Sequence, residues 1–197
     1  MNEMESEWLR KAQQGDQEAF YRLMEIYQSP VYNLCYRMLS SANDAEDAAQ
    51  ETFLRAYHGL SRYDDQRSFS TWLLSIAAHY CIDQIRRRRF TVMSFEELPS
   101  FDPPDQGPGP EKALLAKQKQ QQVQALLENL NPQDRAAVVM RYWYDFSYEE
   151  ISQSLSLTVS AVKSRLHRAR RELASLWAEQ APVSKPVERT RHESPAF

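Results

Sequence analysis

Ser160, Lys163, Ser164, His167, Arg168 and Arg171 recur three and four residues apart. On a helix that spacing gathers positive charge and hydrogen-bond donors on one face. Such a face neutralises phosphates and reads base edges; it is not a reaction centre. Val162, Leu166, Ala169, Leu173 and Leu176 fall on the other side at helical spacing and would be buried. Ahead of them, Ser147 and Glu150 form a capping box for a short helix that buries Ile151 and Leu155. Ser156, Leu157 and Thr158 make the turn, and Thr158 is placed to cap the second helix. Ser147 to Trp177 therefore reads as a helix-turn-helix whose second helix enters a major groove. An ordinary helical hairpin with a solvated basic face fits the same pattern, and the glycine usual in such a turn is absent.

Two further constellations lie upstream. The segment DAEDAAQETFLRAY, Asp44 to Tyr57, falls in a helix from Asp44 to Leu60 that Asn43 can cap, with acids in its first turn. Ala45, Ala48, Thr52, Phe53 and Ala56 can pack inward, which leaves Asp47, Gln50, Glu51 and Leu54 as one stripe. An apolar residue within an acidic stripe suits docking on a basic helical partner, although a solvated face is the commoner meaning of an acidic helix. A long helix, Ser68 to Arg89, then places Trp72, Ser75, His79, Asp83, Arg86 and Arg87 roughly on its polar side, with Tyr63 and Phe69 in and beside the preceding loop. Rings that stack on bases and arginines that hold phosphates suit single-stranded DNA. Core packing accounts for Trp72 and Phe69 equally well, and helix-end cations complementing the dipole account for Arg86 to Arg89.

These segments need scaffolding, and the composition suggests what kind. Only 4 of the 197 residues are glycine and no stretch alternates apolar with polar, so the chain is expected to be all-α. The net charge of -3 rules out a polycation, but the charge is unevenly placed. Residues 1–60 carry ten acidic and five basic side chains, whereas Lys163 to Arg171 carry five basic residues and no acid. This asymmetry suggests an acidic surface for a protein and two basic surfaces for nucleic acid. Pro99 to Pro110 holds five of the ten prolines and should run extended. The expected organisation is two small helical domains, 6–92 and 111–178, joined by a Pro/Gly-rich linker, 93–110, and followed by a disordered tail, 179–197. Within the first domain Asp16 to Gln28 and Pro30 to Leu39 read as separate helices with Phe20, Leu23, Val31, Leu34 and Met38 facing inward.

The segments DAEDAAQETFLRAY, FSTWLLSIAAHYCIDQIRRRR and LNPQDRAAVVMRYWYDFSYEEISQSLSLTVSAVKSRLHRARREL, taken in this order, resemble a bacterial RNA polymerase sigma factor of the extracytoplasmic-function group over about residues 8–178. The resemblance implies a transcription initiation factor that binds core RNA polymerase, recognises the minus-ten and minus-thirty-five promoter elements and promotes melting. Asp47, Gln50, Glu51 and Leu54 match the surface that docks on the clamp helices of the polymerase largest subunit. Tyr63, Phe69, Trp72, His79, Asp83, Arg86 and Arg87 match the minus-ten surface, with the Ser61 to Phe69 loop holding a flipped base. His79 stands where many relatives have asparagine. Thr158, Ser160, Lys163, Ser164, His167, Arg168 and Arg171 match the minus-thirty-five surface. The resemblance also implies an anti-sigma partner.

The sequence has no Gly-rich phosphate loop, metal-ligand spacing or nucleophile motif, so no enzyme, metal, cofactor or small-molecule substrate is expected. Cys35 and Cys81 make no disulfide framework and read as buried free thiols. No signal peptide and no apolar run near membrane length is present, so a cytoplasmic protein without membrane insertion is expected. The rival reading is a conventional helix-turn-helix regulator that dimerises on a palindrome without polymerase.

Overall fold

The computed structural model describes residues 3–64, 66–92 and 110–180. The described residues form helices and connecting turns: α1 (Glu3–Gln13), α2 (Gln17–Leu39), α3 (Ala42–Gly59), a 3-10 turn (Leu60–Arg62), α4 (Phe69–Val92), α5 (Pro110–Asn129), α6 (Pro132–Trp143), α7 (Tyr148–Leu155) and α8 (Val159–Gln180). Residues 93–109 of the expected linker and 181–197 of the expected tail lie outside this description. At the edges of those segments, Pro110 already opens α5 and Glu179 still belongs to α8.

The helix starts are set by short side chains. Asp16 accepts from the Ala19 amide at 3.0 Å, Ser41 from Asp44 at 3.3 Å and Asn131 from Asp134 at 3.0 Å. Ser41 thus caps α3, two residues before the Asn43 expected from sequence. A larger difference lies in α2, which runs unbroken through Pro30. Proline removes one amide from the ladder, but Leu23, Val31, Leu34, Cys35 and Met38 on either side of it are all buried in one core. Packing along both halves overrides the local break.

α1 to α4 form one helical group around Leu23, Leu34, Met38, Ala48, Leu73 and Ala77. α5 to α8 form a second around Leu127, Leu130, Met140, Ile151 and Val162. The groups pack directly on one another, α6 against α2 and α4, and α7 against α4. The seam is anchored on the C-terminus of α2, where last-turn carbonyls lack partners within the helix. Gln124 of α5 donates to the carbonyls of Arg37 (3.1 Å) and Tyr36 (3.3 Å) and to Ser40 Oγ (2.8 Å). Arg135 of α6 donates to the Met38 carbonyl and, at 2.8 Å, to that of Glu128 at the end of α5. This buried cation therefore sits between the negative ends of two helices. The Tyr144 hydroxyl donates to the Pro30 carbonyl at 2.6 Å, and Thr71 Oγ1 to Glu150 Oε1 at 3.2 Å.

Candidate nucleic-acid interface

The turn between α7 and α8 is built from serines. Ser147 accepts from the Glu150 amide at 3.1 Å while Glu150 accepts from the Ser147 amide at 2.8 Å, which completes the capping box. Ser156 takes the left-handed conformation, φ 53°, where a glycine usually stands. The Leu157 amide donates to the Ser152 carbonyl at 2.9 Å, and Ser152 Oγ returns a bond to the Leu157 carbonyl at 2.6 Å. Thr158 then caps α8, accepting from the Ala161 amide at 3.2 Å. Serine side-chain bonds and one strained residue thus do the work of the missing glycine.

α8 buries Val162, Leu166 and Ala169 and half-buries Leu173 and Leu176. Thr158, Ser160, Lys163, Ser164, His167, Arg168 and Arg171 are all exposed, and the structure brings them to one surface. Lys163 Nζ lies 5.6 Å from the centroid of the Tyr148 ring and Arg141 lies 5.5 Å from it, so the ring holds two cations at the base of this face. Sequence reasoning missed the anchor of the face. The fully buried carboxylate of Asp134 accepts from Arg165 Nη1 at 2.7 Å and from Arg168 Nη2 at 2.7 Å. Burial pushes this carboxyl up, but bonds from Arg165, Arg168 and Asn131 outweigh it and hold the pKa below the ordinary aspartate value.

The second basic surface lies on α4. His79, Asp83, Arg86 and Arg87 are exposed along it. His79 Nδ1 lies 2.9 Å from the Ser75 carbonyl. A carbonyl only accepts, so Nδ1 is the donor in this bond, which fixes the orientation of the ring. Ser75 itself is buried, with Oγ donating to the Trp72 carbonyl at 2.7 Å, and is not on the polar side. Arg88 pairs with Asp44 at the start of α3.

The aromatic residues beside α4 are placed differently from the stacking platform expected of them. Phe69 is 1 % exposed and Tyr63 7 %. Phe69 meets Tyr27 edge-on at 5.3 Å, and the Tyr63 hydroxyl donates to the Arg67 carbonyl. Both rings are core, fastening the loop from inside, and offer no free face to a base. Trp72 is half-buried against both, with ring centroids 5.1 Å from Tyr63 and 5.6 Å from Phe69. Aromatic residue type alone does not distinguish a stacking platform from a core.

The acidic stripe of α3 is exposed at Asp47, Gln50 and Leu54, the last 57 % exposed, while Glu51 is half-buried and accepts from Arg55 at 2.7 Å. It borders a groove of about 930 Å³ between α2 and α3, floored by Phe20 and Phe53 and walled by Tyr21, Met24, Leu54 and Tyr57. The α2 side of this groove is not evident from sequence periodicity, because Met24 falls on the same apolar spacing as Phe20 and Tyr27.

A bundle carrying an acidic apolar groove, followed by a helix-turn-helix with a basic face, matches two known families in the same order. Residues 23–91 match Sigma-70 region 2 and residues 120–173 match Sigma-70 region 4. The chain is 36% identical over 172 residues to the ECF RNA polymerase sigma factor SigW of Bacillus subtilis, covering 84% of this chain and 92% of that one. Its fold is similar to CnrH in complex with the cytosolic domain of CnrY, with a TM-score of 0.68 at 23% identity, covering 91% of this chain and 100% of CnrH. It is also similar to the sigma factor RpoE of Bartonella quintana in complex with the anti-sigma factor NepR, with a TM-score of 0.62 at 21% identity, covering 82% and 98%. The chain belongs to the sigma-70 family of RNA polymerase sigma factors, in the extracytoplasmic-function group. It acts in transcription initiation with core RNA polymerase and promoter DNA. A dimeric one-component regulator is not favoured, because such a protein has no use for a region 2. Among the described residues no helix is long and apolar enough to cross a membrane.

Proposed function

We propose that the two helical groups divide the work of initiation. The first group, within residues 6–92, docks on core polymerase through Asp47, Gln50, Glu51 and Leu54, and meets the minus-ten element through α4. There His79, Asp83, Arg86 and Arg87 face the DNA, while Tyr63, Phe69 and Trp72 hold the loop from Ser61 to Phe69 in shape. The second group, within 111–178, enters the major groove of the minus-thirty-five element with α8, using Thr158, Ser160, Lys163, Ser164, His167, Arg168 and Arg171. The segment 93–110 is the linker and 179–197 the tail. The protein is a polymerase subunit of the cytoplasm and not an enzyme.

The observation that carries this reading is the shared exposure of Thr158 and the six α8 residues above a buried Val162, Leu166 and Ala169. The chain is net acidic at -3, so phosphate contacts alone give weak binding to free DNA. Docking on polymerase joins two weak modules into one body and raises their effective concentration. The two elements are about 25 base pairs apart, roughly 85 Å of duplex. The seam between the groups therefore opens when both are engaged. An anti-sigma partner fits the same scheme: RpoE is matched in complex with such a protein, and the α2–α3 groove offers it an apolar seat.

The test is run-off transcription with purified bacterial core polymerase on a genomic fragment pool. Discrete protein-dependent transcripts are expected. In the same assay Leu54→Asp should weaken core binding at least tenfold, about 1.4 kcal/mol, with the far-UV spectrum unchanged. Normal core affinity in that variant removes the docking assignment.

A further inference from the structure

Arg168 meets Asp134 with one edge of its guanidinium only. Nε donates to Oδ2 at 3.1 Å, and Nη2 donates to Oδ2 at 2.7 Å and to Oδ1 at 3.1 Å. Nη1 has no protein partner among the described contacts, and the side chain is 58 % exposed. Its two N–H groups are the donors left to meet a guanine acceptor or a phosphate oxygen. The carboxylate behind it is fully buried and saturated: Arg165 Nη1 adds a bond of 2.7 Å and Asn131 Nδ2 one of 2.6 Å. Asn131 also fixes the Asp134 backbone as the cap of α6. The guanidinium is thus held by a group that cannot itself swing.

We propose that Asp134 is a positioning residue for promoter reading: from α6 it holds Arg168 edge-on through Nε and Nη2, so that Nη1 is preset toward the upstream element. This rests on the assignment of α8 to the major groove and deepens it. A free arginine loses rotamer freedom when it binds; one held in advance loses less. Lysine could not do the same, because it has no second edge to be held by. Asp134 touches no DNA in this scheme and acts through Arg168.

The test uses the full chain with core polymerase and two promoters that share a minus-ten element, one with an intact upstream element and one with it scrambled. The readout is the ratio of transcription between them, which a merely structural loss does not move because both promoters fall together. Asp134→Asn should lower that ratio roughly tenfold. Arg168→Ala should lower it as far, and the double variant no further, because the two act as one unit. Should Asp134→Asn lose its fold by circular dichroism, Arg168→Lys decides instead, since the Arg165 pair still neutralises the buried acid. It should lose the ratio while keeping its melting temperature. An unchanged ratio in Asp134→Asn, or in Arg168→Lys, overturns the proposal, as do additive effects in the double variant. A wild-type ratio near one overturns the groove assignment itself, and the role of Asp134 with it.

Discussion

Both helices assigned to DNA carry an arginine tied to an acid on a neighbouring helix, and the two ties differ in burial. On α4, Arg88 pairs with Asp44, whose side chain is 28 % exposed. On α8, Arg165 and Arg168 share Asp134, which is 0 % exposed. Water can take over from Arg88, so that pair is loose and its arginine is available to phosphate. Asp134 is closed to solvent, so its charge depends on at least one of the two arginines. One arginine is paired at the surface and the other is held by a buried acid, a difference that matches the proposed division between a melting strand and a duplex edge.

Removing the cations from the buried acid should break this comparison most severely. Arg165→Ala with Arg168→Ala leaves Asp134 charged, buried and unpaired except for Asn131, which should cost about 3–5 kcal/mol in urea unfolding near neutral pH. The pH dependence should also change sign. In the wild-type chain the Asp134 pKa lies below the ordinary 3.8. Its contribution is therefore complete above that value and is lost as pH falls through the folded pKa, because the unfolded state binds the proton first. In the double variant the opposing bonds from arginine are gone and burial raises the pKa. The folded state then holds more protons, and stability falls as pH rises above the ordinary aspartate range. Adding Asp134→Asn should restore most of the loss and flatten the profile. A double variant as stable as wild type would show that water reaches this acid after all.

The seam between the groups gives the next largest effect. Arg135 adjoins Asp134 in sequence but faces the other way, into the carbonyls of Met38 and Glu128. Arg135→Ala strips a charged hydrogen bond from the buried Met38 carbonyl and a second from the Glu128 carbonyl, and should cost about 2–4 kcal/mol. Small-angle scattering should also show a larger radius of gyration, because the α2 C-terminus loses an anchor from the second group. A destabilised variant that stays compact would assign Arg135 to α5–α6 packing rather than to the seam. An expanded variant instead sharpens the contrast between adjacent residues: Asp134 would hold the proposed reading arginine, and Arg135 the two groups together.

Much of this was legible in the sequence, and the illegible part has a common cause. The α8 face was readable because 3.6-residue periodicity separates Val162, Leu166 and Ala169 from Lys163, His167 and Arg168. The capping box at Ser147 was readable because its partners lie three residues apart. Asp134 was not: its partners are 31 and 34 residues away, and locally it is only an acid in a first turn, where the helix dipole welcomes one. The α2 C-terminal anchor was hidden for the same reason, since Gln124 reaches it across 84 to 88 residues. Pro30 misled by being read locally, whereas buried contacts on both sides keep α2 whole. Tyr63 and Ser75 misled in a second way, and Phe69 stayed open between two readings, because residue type and approximate face do not determine burial.

The smallest effect should come from the exposed pair, and it makes the sharpest comparison. Arg88 is 49 % exposed, and its guanidinium competes with water for Asp44. Asp44 also faces the amides at the start of α3, where Ser41 is the cap and the helix dipole favours an acid without any arginine. Arg88→Ala should therefore change stability by no more than about 0.5 kcal/mol, and the change should shrink further in 1 M salt. If Arg88 is free to move to phosphate, the same variant should weaken holoenzyme binding to promoter DNA and lower the slope of log affinity against log salt by about one. Loss of stability on the scale of the Asp134 cluster, with an unchanged salt slope, would make Arg88 a second structural clamp and erase the distinction between the two helices.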